Sequence, residues 1–149
     1  MNNFGSRFMQ VFVSHAEADQ PLAQSLTTTL HKAGIQVWNP QESVLPGDNW
    51  SLAVGKALEE SEVLVVLITK QTKSASNISR EVQFALTSGN YRGRVIPVLV
   101  DYVTFQVGSD VPWVLMHMDP VYVTGMLPDF GAVVERVQKE LETDAHASA

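Results

Sequence analysis

Cysteine is missing from this 149-residue chain. Its absence excludes a disulfide framework, a thiolate zinc site, iron–sulfur ligation and a cysteine nucleophile. Long apolar stretches are missing too. The longest run, Val63 to Ile68, falls far short of the ~20 residues a membrane helix requires, so it reads as core. The opening "MNNFGSRFMQVFVSH" has one arginine and an apolar stretch cut short by Ser14 and His15. It lacks a secretory h-region, and the expected compartment is the cytoplasm. Positive charge is in short supply: ten Lys and Arg stand against sixteen Asp and Glu, a net charge of −6. Partners that need a cationic face, nucleic acid and anionic membrane, are therefore not expected.

What is present is the balance of a folded domain, 45% hydrophobic and 17% charged. A chain of this length buries roughly 70% of the surface it exposes when unfolded, so one core suffices without staples. Five short runs rich in β-branched residues predict strands: Met9 to Val13, Ile35 to Trp38, Val63 to Thr69, Arg94 to Val100 and Val121 to Thr124. Between them apolar residues recur at helical spacing. Leu22, Ala23, Leu26, Leu30 and Ala33 mark a first helix, with Asp19 as its cap, Pro21 in its first turn and Gly34 as its stop. Trp50, Val54, Ala57, Leu58 and Ser61 mark a second, after the turn-like "PGDN". Ile78, Val82, Ala85 and Leu86 mark a third, and Phe130, Val133, Val134, Val137 and Leu141 the last. Residues Asp101 to Pro120 predict only a short or irregular helical passage. The tail 143–149, "TDAHASA", offers no apolar partners and is expected to be frayed.

Strands alternating with helices predict an α/β fold whose parallel sheet is covered on both faces. Right-handed crossovers favour a flavodoxin-like, doubly wound, five-stranded sheet of order 2-1-3-4-5. Such a sheet leaves a crevice beyond the carboxyl ends of its first and third strands. Its expected walls are the loop beginning Ser14-His15 and the segment from Lys70 to the helix carrying Glu81, with the loop Asn39 to Asn49 overhanging.

The usual occupants of that crevice lack their motifs. No Gly-rich run ends in Lys-Ser or Lys-Thr, and no three spaced glycines follow the first strand. A receiver domain would put acids at the ends of the first and third strands, where Ser14-His15 and Thr69-Lys70 stand. His15, His31, His117 and His146 are scattered without metal-ligand spacing, so no metal is expected; only His15 falls at the crevice.

Several segments together resemble a TIR domain, the Toll/interleukin receptor fold of immune receptors and many bacterial defence proteins. They are "VFVSHAEAD", "AGIQVWNP", "LPGDNW", "ALEESEVLVVLIT", "SNISREVQFAL" and "RVIPVLV", in the family's order and spacing. The resemblance covers nearly the whole chain and implies a single TIR domain over residues 1–142. In members that act on nicotinamide adenine dinucleotide (NAD+), a glutamate near the start of the third main helix cleaves the nicotinamide–ribose bond. "NISREVQFAL" places Glu81 on that glutamate. At roughly 100° per residue Glu81 lies about 60° from Ile78, beside the stripe of Ile78, Val82 and Ala85, where it can point into the crevice. The bland alternative is an acid stabilised in a first helical turn by the macrodipole.

The resemblance implies an NAD+ hydrolase or ADP-ribosyl cyclase that consumes the dinucleotide as substrate and needs no cofactor. Around catalytic Glu81, the expected substrate contacts are Ser14, His15, Asn39, Trp50 and Asn77. Trp50 also fits the core side of an amphipathic helix, and Asn77 fits a helix cap. Many enzymatic relatives have tryptophan where this chain has Asn77, which bears on product and rate. Asn39 stands where the family often has aspartate, and Pro46-Gly47 serve turn geometry. TIR–TIR self-association is expected, as are a sensor or effector acting in trans, since the chain carries no receptor segment. A Thoeris-like antiphage system fits a domain of this length by analogy. The alternative is a non-catalytic TIR scaffold or adaptor.

Overall fold

The computed structural model describes residues 10–39, 44–72, 76–101 and 113–148. Among them are five strands: β1 (Gln10–Ser14), β2 (Gln36–Trp38), β3 (Val63–Ile68), β4 (Val95–Val100) and β5 (Val121–Val123). Helices alternate with them: α1 (Gln20–Lys32) after a single 3-10 turn (Glu17–Asp19), α2 (Trp50–Glu60), α3 (Ser76–Thr87), the one-turn α4 (Trp113–Met116) and α5 (Gly131–Ser148). The strands form a parallel sheet in the order β2-β1-β3-β4-β5, the doubly wound arrangement that the alternating pattern predicts. No helix among the described residues is long and apolar enough to cross a membrane.

Strand alternation divides the core into two layers. Val11, Val13, Val65, Leu67, Ile96 and Val98 face α1 and α5, meeting Leu26, Leu30, Val133 and Val137. Phe12, Leu64, Val66, Ile68 and Leu99 face α2 and α3, meeting Leu58, Ile78, Val82 and Ala85. Because β3 and β4 are buried on both sides, both read as unbroken apolar runs. Pro97 is tolerated inside β4 for a local reason. The Asp101 N–H donates to Val123 O, so alternate β4 residues face β5, and pairing with β5 begins only at Val98.

Local chemistry sets the ends of the elements. Gly34, at φ +82°, stops α1 in the left-handed region that favours glycine. Leu45 to Asp48 forms a closed turn around Pro46-Gly47, with Gly47 at φ +94°. Asn49 then caps α2, its side chain accepting from the Leu52 N–H at 3.1 Å.

Two expectations are corrected. Asp19 stands at the N-cap position of α1, but its side chain makes no capping bond and accepts instead from the Thr69 hydroxyl at 2.5 Å. Asn77 is no cap either: it lies within α3 and its amide donates to the His15 carbonyl at 3.1 Å. The backbone of α5 stays helical to Ser148, past the last apolar residue of its stripe. Of the irregular passage Asp101 to Pro120, residues 102–112 lie outside the described residues; the remainder contains α4.

Candidate active site

A cleft of about 290 Å³ opens between α2 and α3. From α2 it is lined by Trp50, Ser51, Val54, Gly55 and Leu58, and from α3 by Asn77, Arg80, Glu81 and Phe84. Helical periodicity explains the second wall. Ile78, Val82 and Ala85 turn to the sheet and are buried, while Asn77, Glu81 and Phe84, at i, i+4 and i+7, form the adjoining stripe. Tyr91 buttresses the arrangement from below, its buried hydroxyl donating to the Leu58 carbonyl at 2.8 Å and tying α2 to the chain that follows α3.

Glu81 lines this cleft yet is only 7% exposed. Its Oε1 accepts a 2.6 Å hydrogen bond from the Ser14 hydroxyl at the carboxyl end of β1. Burial pushes the Glu81 carboxyl above the ordinary carboxylate range, and hydrogen bonds from Ser14 and Asn77, with the nearby Arg80 charge, pull it back. The result is a desolvated acid that keeps donors on its oxygens. Asn77 also ties α3 to the loop after β1, since its amide donates to the His15 carbonyl.

The remaining expected residues separate. Trp50 sits at the cleft and is 46% exposed, so it is available to a ligand and not sealed in the core. His15 is buried beside β1 and turns its Nε2 to Gln20 Oε1 at 3.3 Å; burial lowers its pKa and favours the neutral imidazole. Asn39 is buried at the end of β2, where its amide donates to Thr27 Oγ1 at 3.2 Å and fastens that strand end to α1. Neither His15 nor Asn39 lines the cleft around Glu81. Arg80, Phe84 and, apart from Trp50, the cleft-facing side of α2 are not singled out by the sequence. Their signal was present: Trp50, Val54 and Leu58 share a stripe that reads as core but here forms a cleft wall.

A second cleft of about 220 Å³ lies beyond the strand ends, lined by Asp19, Leu22, Thr69, Lys70, Gln71, Val100, Asp101 and Gly125. Thr69, Lys70 and Gln71 belong to this second space, and Glu81 belongs to the first. Among the described residues no group of three or more His, Asp or Glu is placed to hold a metal ion.

Residues 11–123 match the family model of the TIR domain. Over 91 residues the chain is 30% identical to the NAD(+) hydrolase PdTIR of Paracoccus denitrificans (strain Pd 1222). That match takes in 59% of this chain and 30% of the relative, so the chain spans less than a third of that protein's length. Among solved structures, the TIR domain of the Toll-related receptor TRR-2 from Hydra magnipapillata superposes with a TM-score of 0.60 at 20% identity, covering 90% of this chain and 95% of that one. The TIR domains of the activated Roq1 resistosome recognizing the effector XopQ give 0.53 at 24% identity, covering 62% and 58%. At those identities the likeness is one of fold.

Proposed function

The chain belongs to the TIR domain family, and we propose that it cleaves the nicotinamide–ribose bond of NAD+ in the cleft between α2 and α3. The observation that carries this reading is the buried Glu81 carboxylate lining that cleft. The similarity to a protein named as an NAD(+) hydrolase supports it.

One carboxylate suits the chemistry. Nicotinamide departs as a neutral molecule from a cationic precursor, so no general acid is needed, unlike the two-carboxylate arrangement of glycosidases. Glu81 holds the ribose hydroxyls and stabilises the oxocarbenium-like positive charge that grows as the bond lengthens. The raised carboxyl pKa fits this role, because a poorly hydrated anion interacts more strongly with an approaching cation than a solvated one does. Trp50 offers its exposed face to a heteroaromatic ring of the dinucleotide, and Arg80 its charge to the pyrophosphate. Water capturing the ribosyl cation gives ADP-ribose; capture by the substrate's own adenine or another nucleophile gives a cyclic or conjugated messenger. Either outcome serves bacterial immunity, by depleting the dinucleotide or by signalling to an effector in trans, as in a Thoeris-like antiphage pathway.

The test is incubation of purified protein with NAD+, with and without a crowding agent that promotes assembly. Wild type releases nicotinamide with time, and Glu81→Ala loses the activity by at least about 10²-fold, in the range for deleting a preorganised electrostatic group. Mass spectrometry of the products separates hydrolysis from messenger synthesis. If wild type and Glu81→Ala release equally little nicotinamide, the scaffold reading takes over. That reading draws on the exposed apolar side chains of Leu45 and Leu52 near α2 and Met126 and Leu127 after β5, which suit TIR–TIR assembly.

A further inference from the structure

We infer that Ser14 is a positioning residue, acting on a ligand only through Glu81, whose carboxylate it holds from behind the cleft wall. The inference rests on the catalytic role proposed for Glu81.

Ser14 is 1% exposed and does not line the cleft, so a molecule bound there does not reach its hydroxyl. The hydroxyl sits 2.6 Å from Glu81 Oε1, a contact that joins residues 67 positions apart and ties the end of β1 to the middle of α3. Its platform is rigid. Ser14 closes a strand paired on both sides, in register with Val66 of β3, and its neighbours Phe12 and Val13 are fully buried. Glu81, by contrast, has three rotatable side-chain bonds, which its place on the helix does not fix by itself. A donor fixed to the sheet selects one rotamer. It also favours the ionised form, because a charge-assisted bond to the carboxylate offsets lost hydration. Asn77 supplies a second donor to Glu81 from within α3, but it lines the cleft itself, so of these two donors Ser14 is the one that acts wholly from behind.

The experiment uses the full chain as wild type, Ser14→Ala and the near-isosteric, weak-donor Ser14→Cys. Glu81 is followed by carbon NMR with labelled glutamate, its resonance assigned by Glu81→Gln, and kcat and KM for NAD+ are measured across pH. In Ser14→Ala the Glu81 titration moves to higher pH and the acid limb of kcat moves with it. At the optimum kcat falls roughly ten- to a hundred-fold while KM changes by less than about two-fold, as expected when a reacting group loses its alignment. Ser14→Cys falls between the two. A Glu81 titration in Ser14→Ala that overlays the wild-type curve overturns the inference, as does a thermal shift with kcat and its pH profile intact. The NMR titration needs no turnover, so it decides the role of Ser14 even if wild type proves inactive and the NAD+ reading fails.

Discussion

Glu81 carries a cost for keeping its carboxylate out of water. The folded Glu81 carboxyl holds its proton to a higher pH than the unfolded one, whose ordinary value is 4.5. Proton binding therefore favours the folded state at low pH, and that stabilisation is lost as pH rises from 4.5 through the raised folded value. Glu81→Gln, which resembles the protonated form and can still accept from Ser14, melts together with wild type at acid pH. It melts above wild type at pH 7.5, each kcal/mol of difference moving the midpoint by about 2–4 °C in a domain of this size. Scanning calorimetry at both pH values checks this; equal midpoints at pH 7.5 would mean that the carboxylate carries no burial cost. Stability gained with activity lost is the usual mark of a strained functional group. Trp50 predicts the opposite division. Its side chain is half in solvent, so Trp50→Ala leaves the melting midpoint nearly unchanged. Loss of roughly 1–3 kcal/mol of ring stacking raises KM for NAD+ about ten-fold or more, read from initial rates.

At the scale of elements, the site depends on where α2 starts. Asn49 caps the helix, and the next residue is Trp50, so an unravelled first turn would displace the proposed stacking face. Asn49→Ala costs about 1 kcal/mol in urea unfolding, with a rise in KM; Asn49→Asp, which retains an acceptor, restores both. The elements themselves were legible because their causes are local: β-branched runs for β3 and β4, glycine after α1, a Pro-Gly turn before α2. The two misread caps share a physical reason. Asp19 and Asn77 are short polar residues at helix starts, where sequence alone assigns them to nearby N–H groups. Partners 50 and 62 residues away won instead: the Thr69 hydroxyl for Asp19 and the His15 carbonyl for Asn77. The Asn77 bond helps build the surroundings of Glu81, and the Asp19 bond lies at the second cleft. The position of Glu81 on α3 was readable from spacing, but the wall facing it was not, since an apolar stripe looks alike whether it meets core or cleft. Asn39 also took a partner the sequence does not show, the Thr27 hydroxyl of α1.

For the whole molecule, the sheet order bears on the proposed TIR–TIR association, because it sets where exposed apolar side chains fall. Strands β2 and β5 are its two edges. Leu45 and Leu52, 64% and 71% exposed, flank the start of α2 in the chain that follows β2. Tyr122 on β5 and Met126 and Leu127 just after it are 55%, 92% and 84% exposed. Two different apolar surfaces associated with opposite edges favour a head-to-tail contact, which leaves one surface free at each end and extends into open assemblies. The net charge of −6 opposes that contact, because like-charged copies repel over about 10 Å at 0.1 M salt. Raising salt therefore enlarges the assemblies, and if the active cleft is completed on assembly, nicotinamide release per chain rises with both salt and protein concentration. Light scattering run beside the activity assay tests each half. Leu52→Glu and Met126→Glu should each cap one end, removing the concentration dependence while leaving the melting midpoint near wild type, because both residues are exposed. Mixing the two variants should restore dimers through their one intact pair of surfaces. Activity per chain that stays flat with concentration in wild type, with particle size equally flat, would show that a single copy works alone.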